Sequence, residues 1–261
     1  MTTLSDKVWD YYNYHGRHDL PWRASVDPYF VMISELMLQQ TQVSRVIPKF
    51  QEFITAFPTV RSLAAATLSS VLTVWSGLGY NRRAKFLHQA AQMIVNEYSE
   101  QFPKTLEELI KLPGIGKNTA GAIIAYAYNL PAVFVETNIR TVFIHHFFND
   151  RTDVSDKEIF ELVEQTVDRE HPREWYWALM DYGSYLKKSV SNIEQSKHYA
   201  KQSKFEGSKR QIRGQVIREL TSSKKSLSQL KTQIADERLT TVLDDLISEH
   251  MIQKVGTQYS L

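Results

Sequence analysis

Two glutamates occupy positions at which a carboxyl group could do acid–base chemistry. Glu35 lies in the run Met32 to Leu38, where the neighbours are so apolar that an unpaired carboxylate would be costly. Burial of that kind raises the pKa of a carboxyl group into the range of a general acid. Glu136 lies in the run Phe134 to Asn138, where an extended segment meets a helix. Two carboxyl groups whose pKa values are pushed apart suit cleavage of a glycosidic bond: one protonates the leaving group and the other faces an oxocarbenium-like sugar.

Each glutamate also has a purely structural interpretation. Glu35 could lie on an exposed stripe of its helix. Glu136 could be a helix N-cap or a first-turn acid that the helix dipole favours. The two residues alone leave both interpretations open.

A glycine-containing turn between two apolar helices indicates what the glutamates could act on. The run Leu112 to Thr119 reads Leu-Pro-Gly-Ile-Gly-Lys-Asn-Thr. Such a turn exposes backbone N–H groups at a helix N-terminus, which is a binding site for a phosphate. A phosphate site together with paired carboxyl groups predicts chemistry on a nucleoside N-glycosidic bond.

The elements that must position these residues are predicted to be helices over most of the chain. Asp27 suits an N-cap and Pro28 a first helical residue, so the buried helix that carries Glu35 should begin there and extend to Thr41. Apolar periodicity predicts further helices at 44–57, 59–66, 68–76, 82–98, 106–112, 118–128, 138–148, 157–168 and 175–186. Helices at 211–220, 226–235 and 240–250, followed by a β-hairpin at 252–261, predict a winged-helix module or a generic three-helix bundle.

The composition excludes several classes of site. The 261 residues include no cysteine, which excludes disulfides, thiolate zinc sites, cysteine nucleophiles and thiolate-held iron–sulfur clusters. His145 and His146 are neighbours on a helix and point about 100° apart, so they should not share a metal ion.

No apolar run is long enough to span a membrane, and the segment from Met1 to Tyr11 lacks the pattern of a secretory signal. We therefore expect an intracellular protein.

Positive charge is concentrated in one part of the chain. The net charge is only +2, yet the segment from Tyr182 to Lys225 contains 11 Lys or Arg residues and 3 Glu residues. A local basic stripe is typical of nucleic-acid binding, although a solvated linker has the same composition.

A set of motifs, in order along the chain, resembles the helix-hairpin-helix DNA glycosylases, and specifically their A/G-specific adenine glycosylase (MutY-type) branch. The motifs are Leu20-Pro21-Trp22-Arg23, Asp27-Pro28-Tyr29, the run Ser-Glu-Leu-Met-Leu-Gln-Gln-Thr-Gln-Val from Ser34 to Val43, Trp75 to Tyr80, and the hairpin from Leu112 to Gly121. The hairpin is shared with many DNA-binding proteins, whereas the run from Ser34 is more specific.

The resemblance implies an all-α, two-lobed helix-hairpin-helix DNA glycosylase fold. One lobe would comprise 1–25 and 134–208, a helical-barrel lobe would comprise 26–133 with the hairpin at 106–128, and a small winged-helix-like module would occupy 209–261.

The resemblance also implies a role for individual residues. Glu35 falls on the general acid that protonates the adenine ring, Glu136 on the catalytic aspartate, and Asn138 on the asparagine that supports it. The base pocket would contain Arg23, Asp181 and Asn118. The DNA-binding positions would be Gln40, which wedges into the stack when the base is flipped, and Tyr80, Asn81, Gly114, Gly116, Lys117, Lys201 and Lys204.

Bifunctional relatives carry a lysine where this chain has Asn118, and that lysine forms a Schiff base that leads to strand cleavage. Asn118 therefore implies a monofunctional glycosylase without strong lyase activity.

The sequence departs from the pattern of these enzymes in four places. Glu136 is one methylene longer than the usual aspartate, and Asn81 stands where a tyrosine is usual, although Tyr80 could substitute for it in part. The basic stretch 198–206 replaces the loop that holds an iron–sulfur cluster, as in cluster-less relatives. A winged-helix-like module stands where a NUDIX-like domain is usual. We therefore expect no cofactor, apart from a monovalent cation that the hairpin could hold.

These features lead to one principal expectation and two alternatives. The principal expectation is a base excision repair enzyme that removes mispaired adenine, opposite 8-oxoguanine or G, from double-stranded DNA. It would act as a monomer, without a membrane partner, in the cytoplasm on the nucleoid. A thymine or uracil mismatch glycosylase on the same scaffold is one alternative, and a non-catalytic, structure-specific DNA-binding protein is the other.

Overall fold

The computed structural model describes residues 3–190, 193–197 and 204–261, and this part of the chain is mostly helical. The helices are α1 (Leu4–His15), α2 (Pro28–Leu38), α3 (Val43–Ala56), α4 (Val60–Ala65), α5 (Leu68–Trp75), α6 (Arg82–Glu97), α7 (Leu106–Leu109), α8 (Lys117–Tyr128), α9 (Thr137–Phe147), α10 (Asp156–Thr166), α11 (Pro172–Ser189), α12 (Lys209–Ser222), α13 (Leu227–Gln233) and α14 (Leu239–Ser248). Short 3-10 turns lie at Pro21–Arg23 and Ile193–Gln195, and the strands are β1 (Lys225–Ser226), β2 (Gln253–Val255) and β3 (Gln258–Ser260). Within the described ranges, every helix is too short or too polar to cross a membrane.

Local side-chain chemistry explains where several helices begin. The carboxylate of Asp27 accepts a hydrogen bond from the backbone N–H of Tyr29 at 2.8 Å, so α2 starts where the sequence predicts. Reciprocal capping boxes begin α1, α4, α10 and α13 at Thr3, Thr59, Ser155 and Ser226. The predicted helices are present with ends shifted by a few residues, which is the usual uncertainty at helix termini.

The helix α2 ends at Leu38, earlier than the sequence predicts. Gln40 has a φ of 55°, in the left-handed region that interrupts a helix. The guanidinium of Arg83 donates hydrogen bonds to the carbonyl oxygens of Leu36 at 2.8 Å and Met37 at 2.9 Å. Because these terminal carbonyls have partners on another helix, α2 can stop without leaving buried acceptors unpaired.

The first of two compact units is built from residues within 1–35, 103–111 and 115–201. Its central helix, α11, packs against α1, α8 and α9. Trp175 and Tyr176 of this helix are fully buried, and the ring of Tyr176 stacks on Phe134 with 4.1 Å between centroids. This aromatic contact fixes the segment that leads into α9, and that segment carries Glu136.

The second compact unit is built from residues within 36–102, 112–114 and 202–261. In it, α6 packs against α4 and α5, and α12 packs against α5 and α14. Gly114, from the turn that precedes α8, has a φ of 79°, and a Cβ added there would lie 2.7 Å from the Cβ of Phe86. Both the backbone conformation and the close approach therefore require glycine at this point of the turn.

The C-terminal module, residues 209–261, contains the predicted helices α12, α13 and α14 and the predicted hairpin of β2 and β3. The sequence did not predict β1, which pairs antiparallel with β3 in the register Lys225↔Tyr259. A strand of two residues has no alternating pattern to detect. The order helix, strand, helix, helix, hairpin is that of a winged helix, and the module lies within the second unit. The three-part division implied by the resemblance stays a prediction.

Candidate active site

The two candidate catalytic glutamates lie in the same compact unit, at the ends of two helices. Glu35 is in the last turn of α2, and Glu136 immediately precedes α9. Glu136 occupies the N-cap position of α9, but its side chain makes no capping hydrogen bond. The structural interpretation of Glu136 as a side-chain cap is therefore wrong, and its carboxyl group is available for another role.

The two carboxyl groups influence each other electrostatically. Burial, followed by the negative charge of Glu136, raises the pKa of Glu35 well above its usual value, against the opposing charge of Arg23. Burial also raises the pKa of Glu136, against the opposing charge of Arg140. Each side chain keeps some exposed surface, yet the carboxyl groups are enclosed closely enough for desolvation to dominate. Because the charge of Glu136 adds to the effect of burial at Glu35, Glu35 is the carboxyl group of the two that is favoured to carry a proton.

Tyr126 is a third titratable residue of this site, and sequence reasoning missed it. Burial, and then the charges of Glu35 and Glu136, raise the pKa of the Tyr126 phenol well above its usual value. Its ring stacks on Trp177 with 6.0 Å between centroids and meets the edge of Phe134 at 6.2 Å. Tyr126 lies in the apolar run of α8, where nothing in the pattern distinguishes a site residue from a core residue.

Arg23 and Asp181 form a buried ion pair, joined by Arg17. The side chains of Arg23 and Asp181 are only 5% and 1% exposed. Arg23 donates from both terminal nitrogens to the two Asp181 oxygens, each at 2.9 Å. Arg17 adds hydrogen bonds from its backbone N–H and its Nε, both at 2.8 Å. Burial alone would raise the pKa of Asp181, but the hydrogen bonds and charges of the two arginines outweigh burial and lower it.

Arg23 also has one buried N–H donor that lacks an acceptor among the described residues. Its Nε is buried and has no hydrogen-bond partner among the described residues, while its guanidinium lies 5.3 Å from the centroid of the Trp177 ring. A buried N–H donor without an acceptor is costly, so an acceptor atom of a bound molecule would stabilise this arrangement.

Asp181→Asn should lower the free energy of unfolding by about 3 kcal/mol, because two guanidinium groups would lose their buried counter-charge. The pKa of Asp181 is lowered from 3.8, so the ion pairs stabilise the fold above that pH, and the stabilisation is lost as the pH falls through the lowered value. The difference between variant and wild type should therefore shrink in acid. Urea denaturation at neutral and acidic pH measures this, with Asp244→Asn, at an exposed position of α14, as the control. An equal loss of stability for both variants would contradict the prediction.

Of the two asparagines near Glu136, Asn118 supports the neighbouring backbone and Asn138 contacts Met180. The Asn118 side-chain amide donates to the Val135 carbonyl oxygen at 2.8 Å and accepts from the Val135 N–H at 3.4 Å. The Asn138 amide lies 3.9 Å from the sulfur of Met180. Asn118 therefore holds the residue next to Glu136, a contact that the sequence did not indicate. That Asn118 also lines a base pocket stays a prediction.

The predicted DNA-binding residues are distributed over both units. Gln40, Tyr80, Asn81, Gly114 and Lys204 belong to the second unit, whereas Gly116 and Lys117 belong to the first, and Lys201 lies outside the described residues. Gly116 is the N-cap of α8 and uses no side chain there, so the first N–H groups of α8 are not capped by a side chain. Among the described residues, no group of three or more histidines, aspartates or glutamates is arranged to hold a metal ion.

Similarity to known proteins was found in both sequence and structure. The family described as HhH-GPD superfamily base excision DNA repair protein matches residues 33–169. The chain is 38% identical over 189 residues to an adenine DNA glycosylase of Buchnera aphidicola subsp. Baizongia pistaciae. This alignment covers 71% of this chain and 54% of the relative. It is 46% identical over 129 residues to an adenine DNA glycosylase of Mycolicibacterium smegmatis, and this alignment covers 49% of this chain and 44% of the relative. The chain thus spans about half the length of the curated relatives it matches.

Solved structures show the same fold. A thermostable thymine-DNA glycosylase has a TM-score of 0.61 at 25% identity, covering 69% of this chain and 84% of that one. Endonuclease III in a non-covalent complex with DNA has a TM-score of 0.60 at 20% identity, covering 71% of this chain and 87% of that one. The family match includes Glu35 and the second half of its helix, the hairpin and Glu136. The chain belongs to the HhH-GPD superfamily of base excision DNA repair proteins.

Proposed function

We propose that this protein is a monofunctional DNA N-glycosylase that removes mispaired adenine from double-stranded DNA. The feature that carries the proposal is the enclosed pair of Glu35 and Glu136, in which burial raises both pKa values and the charge of Glu136 raises that of Glu35 further. The names of the matched relatives, which are adenine DNA glycosylases, support adenine as the base.

The pair supplies the proton and the negative charge that the reaction needs. The Glu35 carboxyl group donates its proton to a ring nitrogen of the extruded adenine, and the N-glycosidic bond then breaks with its electron pair leaving on the base. The Glu136 carboxylate stabilises the positive charge that develops on the sugar. Water adds to the anomeric carbon, and its proton passes to the carboxylate pair. The pair therefore begins and ends the reaction with one proton.

Recognition of the base is assigned to Arg23 and Asp181. Their bidentate ion pair holds the Arg23 guanidinium in one orientation, so its Nε–H is fixed before the base arrives. A donor that is positioned in advance loses little entropy on binding. Asn118 cannot form a Schiff base with the sugar, and the product should be an abasic site in an unbroken strand.

A panel of duplexes tests the proposed function. Single-turnover reactions would contain A opposite 8-oxoguanine, A opposite G, T opposite G, or U opposite G, and strand breaks would be counted with and without alkali. We expect alkali-dependent breaks at A in the first two duplexes. Breaks at T or U instead would identify the alternative mismatch glycosylase. Salt-sensitive binding without base release from any duplex would identify a non-catalytic DNA-binding protein.

Asn118→Ala should slow base release about tenfold, because the segment that carries Glu136 would lose its side-chain support and small displacements of catalytic groups are costly. The same change should lower the free energy of unfolding by about 1 kcal/mol, the usual net value of a hydrogen bond. Single-turnover rates on the preferred duplex measure the first effect, and urea denaturation measures the second. Asn96→Ala, at an exposed position of α6, is the control. A rate equal to that of the wild type would show that Val135 does not need this support.

Several finer features stay predictions. These are the preference for a mismatch, the monomeric state, a monovalent cation at the hairpin and a location on the nucleoid. Lys117 and the backbone of the Gly114 to Gly116 turn are proposed to bind a DNA phosphate, because α8 begins there with N–H groups that no side chain caps.

A further inference from the structure

The C-terminal module is tied to the beginning of α6 by a network of charged side chains, all within the second unit. Glu249, just after α14, accepts hydrogen bonds from Arg213 of α12 at 3.1 and 2.5 Å. Its carboxylate also lies 3.7 Å from Nε of Arg82, and its carbonyl oxygen accepts a hydrogen bond from Lys85. Arg82 and Lys85 are in the first turn of α6. The module therefore holds the end of α6 that directly follows the turn Gly77 to Asn81.

A second contact reaches the turn itself. Arg210 of α12 donates a hydrogen bond to the Tyr80 hydroxyl, and its guanidinium carbon lies 5.1 Å from the centroid of the Tyr80 ring. The guanidinium carbon of Arg83 lies 5.4 Å from the same centroid. Cations at these distances are attracted to an aromatic ring. Two arginines, one from α6 and one from the module, therefore hold the Tyr80 side chain.

The backbone of the turn is in an unfavourable conformation that these contacts maintain. Tyr80 has a φ of 47°, which is rare for a bulky residue. The carbonyl oxygen of the preceding Gly79 accepts hydrogen bonds from the Trp75 indole and from Arg83, both at 3.1 Å. Strained residues persist where surrounding contacts determine their conformation, and they are common at functional sites.

The surface of the module argues against direct reading of DNA by α14. In helix-turn-helix proteins the recognition helix carries side chains that contact bases, and binding depends on positive charge. The exposed positions around α14 include Glu237 and Asp244. Arg238 is paired with Asp236, and Lys209 of α12 is paired with Asp245. The helix α14 itself contains two aspartates and no Lys or Arg, so it lacks the positive charge of a recognition helix.

We propose that the C-terminal module braces the turn Gly77 to Asn81, and that Arg210 is a positioning residue that increases discrimination between mismatched and matched DNA. The inference rests on the proposed function and on the prediction from the sequence that Tyr80 is a DNA-binding residue. An aromatic side chain that is already held in its binding conformation loses less entropy on contact with a base. The module thus acts through Tyr80 and not through contacts of its own with DNA bases.

The test measures binding, so that it does not depend on base release. Dissociation constants would be determined for a duplex with a 2′-fluoro adenosine, which resists cleavage, opposite 8-oxoguanine and for the same strand paired with T. Arg210→Ala should reduce the ratio of the two constants about fivefold. Arg218→Ala removes a positive charge from an exposed position of the same helix and should leave the ratio unchanged. Arg210→Lys keeps the charge without the planar guanidinium and should fall between wild type and Arg210→Ala.

A double-mutant cycle separates action through Tyr80 from a general structural role. In a Tyr80→Ala background, Arg210→Ala should have no further effect on the ratio. If Tyr80→Ala does not fold, Tyr80→Phe removes only the hydroxyl, and the Arg210→Ala effect should shrink in that background.

Three results would overturn the inference: an unchanged ratio in Arg210→Ala, an equal change in Arg218→Ala, or an undiminished Arg210→Ala effect in the Tyr80 variant. Discrimination in binding without release of any base would refute the proposed function alone. Release of adenine without discrimination in binding would refute the inference alone.

Discussion

Glu35→Gln should reduce the rate constant of base release about a thousandfold, with little change in DNA affinity. Glutamine has nearly the same shape as glutamic acid but cannot donate the proton that makes adenine a leaving group. Single-turnover kinetics on duplexes with A opposite 8-oxoguanine measure the rate, and titration with labelled duplex measures the affinity. Glu164→Gln, at an exposed position of α10, is the control for loss of a carboxyl group. A Glu35→Gln enzyme that keeps its rate would remove Glu35 from the mechanism.

The raised pKa of Glu35 also predicts how the rate and the stability respond to pH. The acid form is the active one, so the wild-type rate should fall as the pH rises through the raised value. The folded protein retains a proton that the unfolded chain loses near pH 4.5, so stability falls as the pH rises from there to the raised pKa. An uncharged glutamine lacks this dependence. Glu35→Gln should therefore be more stable than wild type at neutral pH and lose that advantage in acid, as measured by urea denaturation at both pH values.

Gly183→Ala should lower the free energy of unfolding by about 3 kcal/mol or more. A Cβ at Gly183 would lie 2.2 Å from the backbone oxygen of Asn138 and 2.7 Å from its carbonyl carbon. Contacts this short with backbone atoms require α9 and α11 to move apart. Because Asn138 is in the first turn of α9 and Glu136 directly precedes it, we also expect slower base release from the folded fraction. Thermal and urea denaturation, followed by single-turnover kinetics, measure the two effects.

Gly214→Ala is the matched control, since Gly214 is also inside a helix. No atom lies within 4 Å of a Cβ placed there. Alanine loses less backbone entropy on folding than glycine, so this variant should be more stable by about 0.5 to 1 kcal/mol. A destabilisation of similar size in both variants would show that the cost at Gly183 is not caused by the contact with Asn138.

Much of the local structure could be predicted because its causes are local. Asp27 and Pro28 begin α2 by capping and by a preset φ, and these properties belong to the residues themselves. The two glycines of the hairpin and the apolar runs on either side of it likewise predict a turn between α7 and α8. The motif from Ser34 to Val43 indicated the family, and the family match confirms this.

The features that the sequence could not predict depend on residues far apart in the chain. The early end of α2 requires Arg83, which reaches the carbonyl oxygens of Leu36 and Met37. Nothing in the helical pattern around Tyr126 showed that it lies close to two carboxyl groups. The hydrogen bonds between Asn118 and Val135 were equally invisible, since each residue fits its local pattern without them.

The sequence by itself determined the helices, the glycine-containing turn before α8 and the apolar surroundings of Glu35, because periodicity, capping and turn chemistry act over a few residues. Only the tertiary structure decided that Glu35 and Glu136 influence each other's charge, because the interaction of two charges depends on their distance and on the burial around them. It also decided that Asp181 pairs with Arg17 and Arg23, since a buried carboxylate takes whichever cations the packed helices bring to it. The residue types of Glu35 and Glu136 predicted acid–base chemistry, and the fold places both residues in one compact unit.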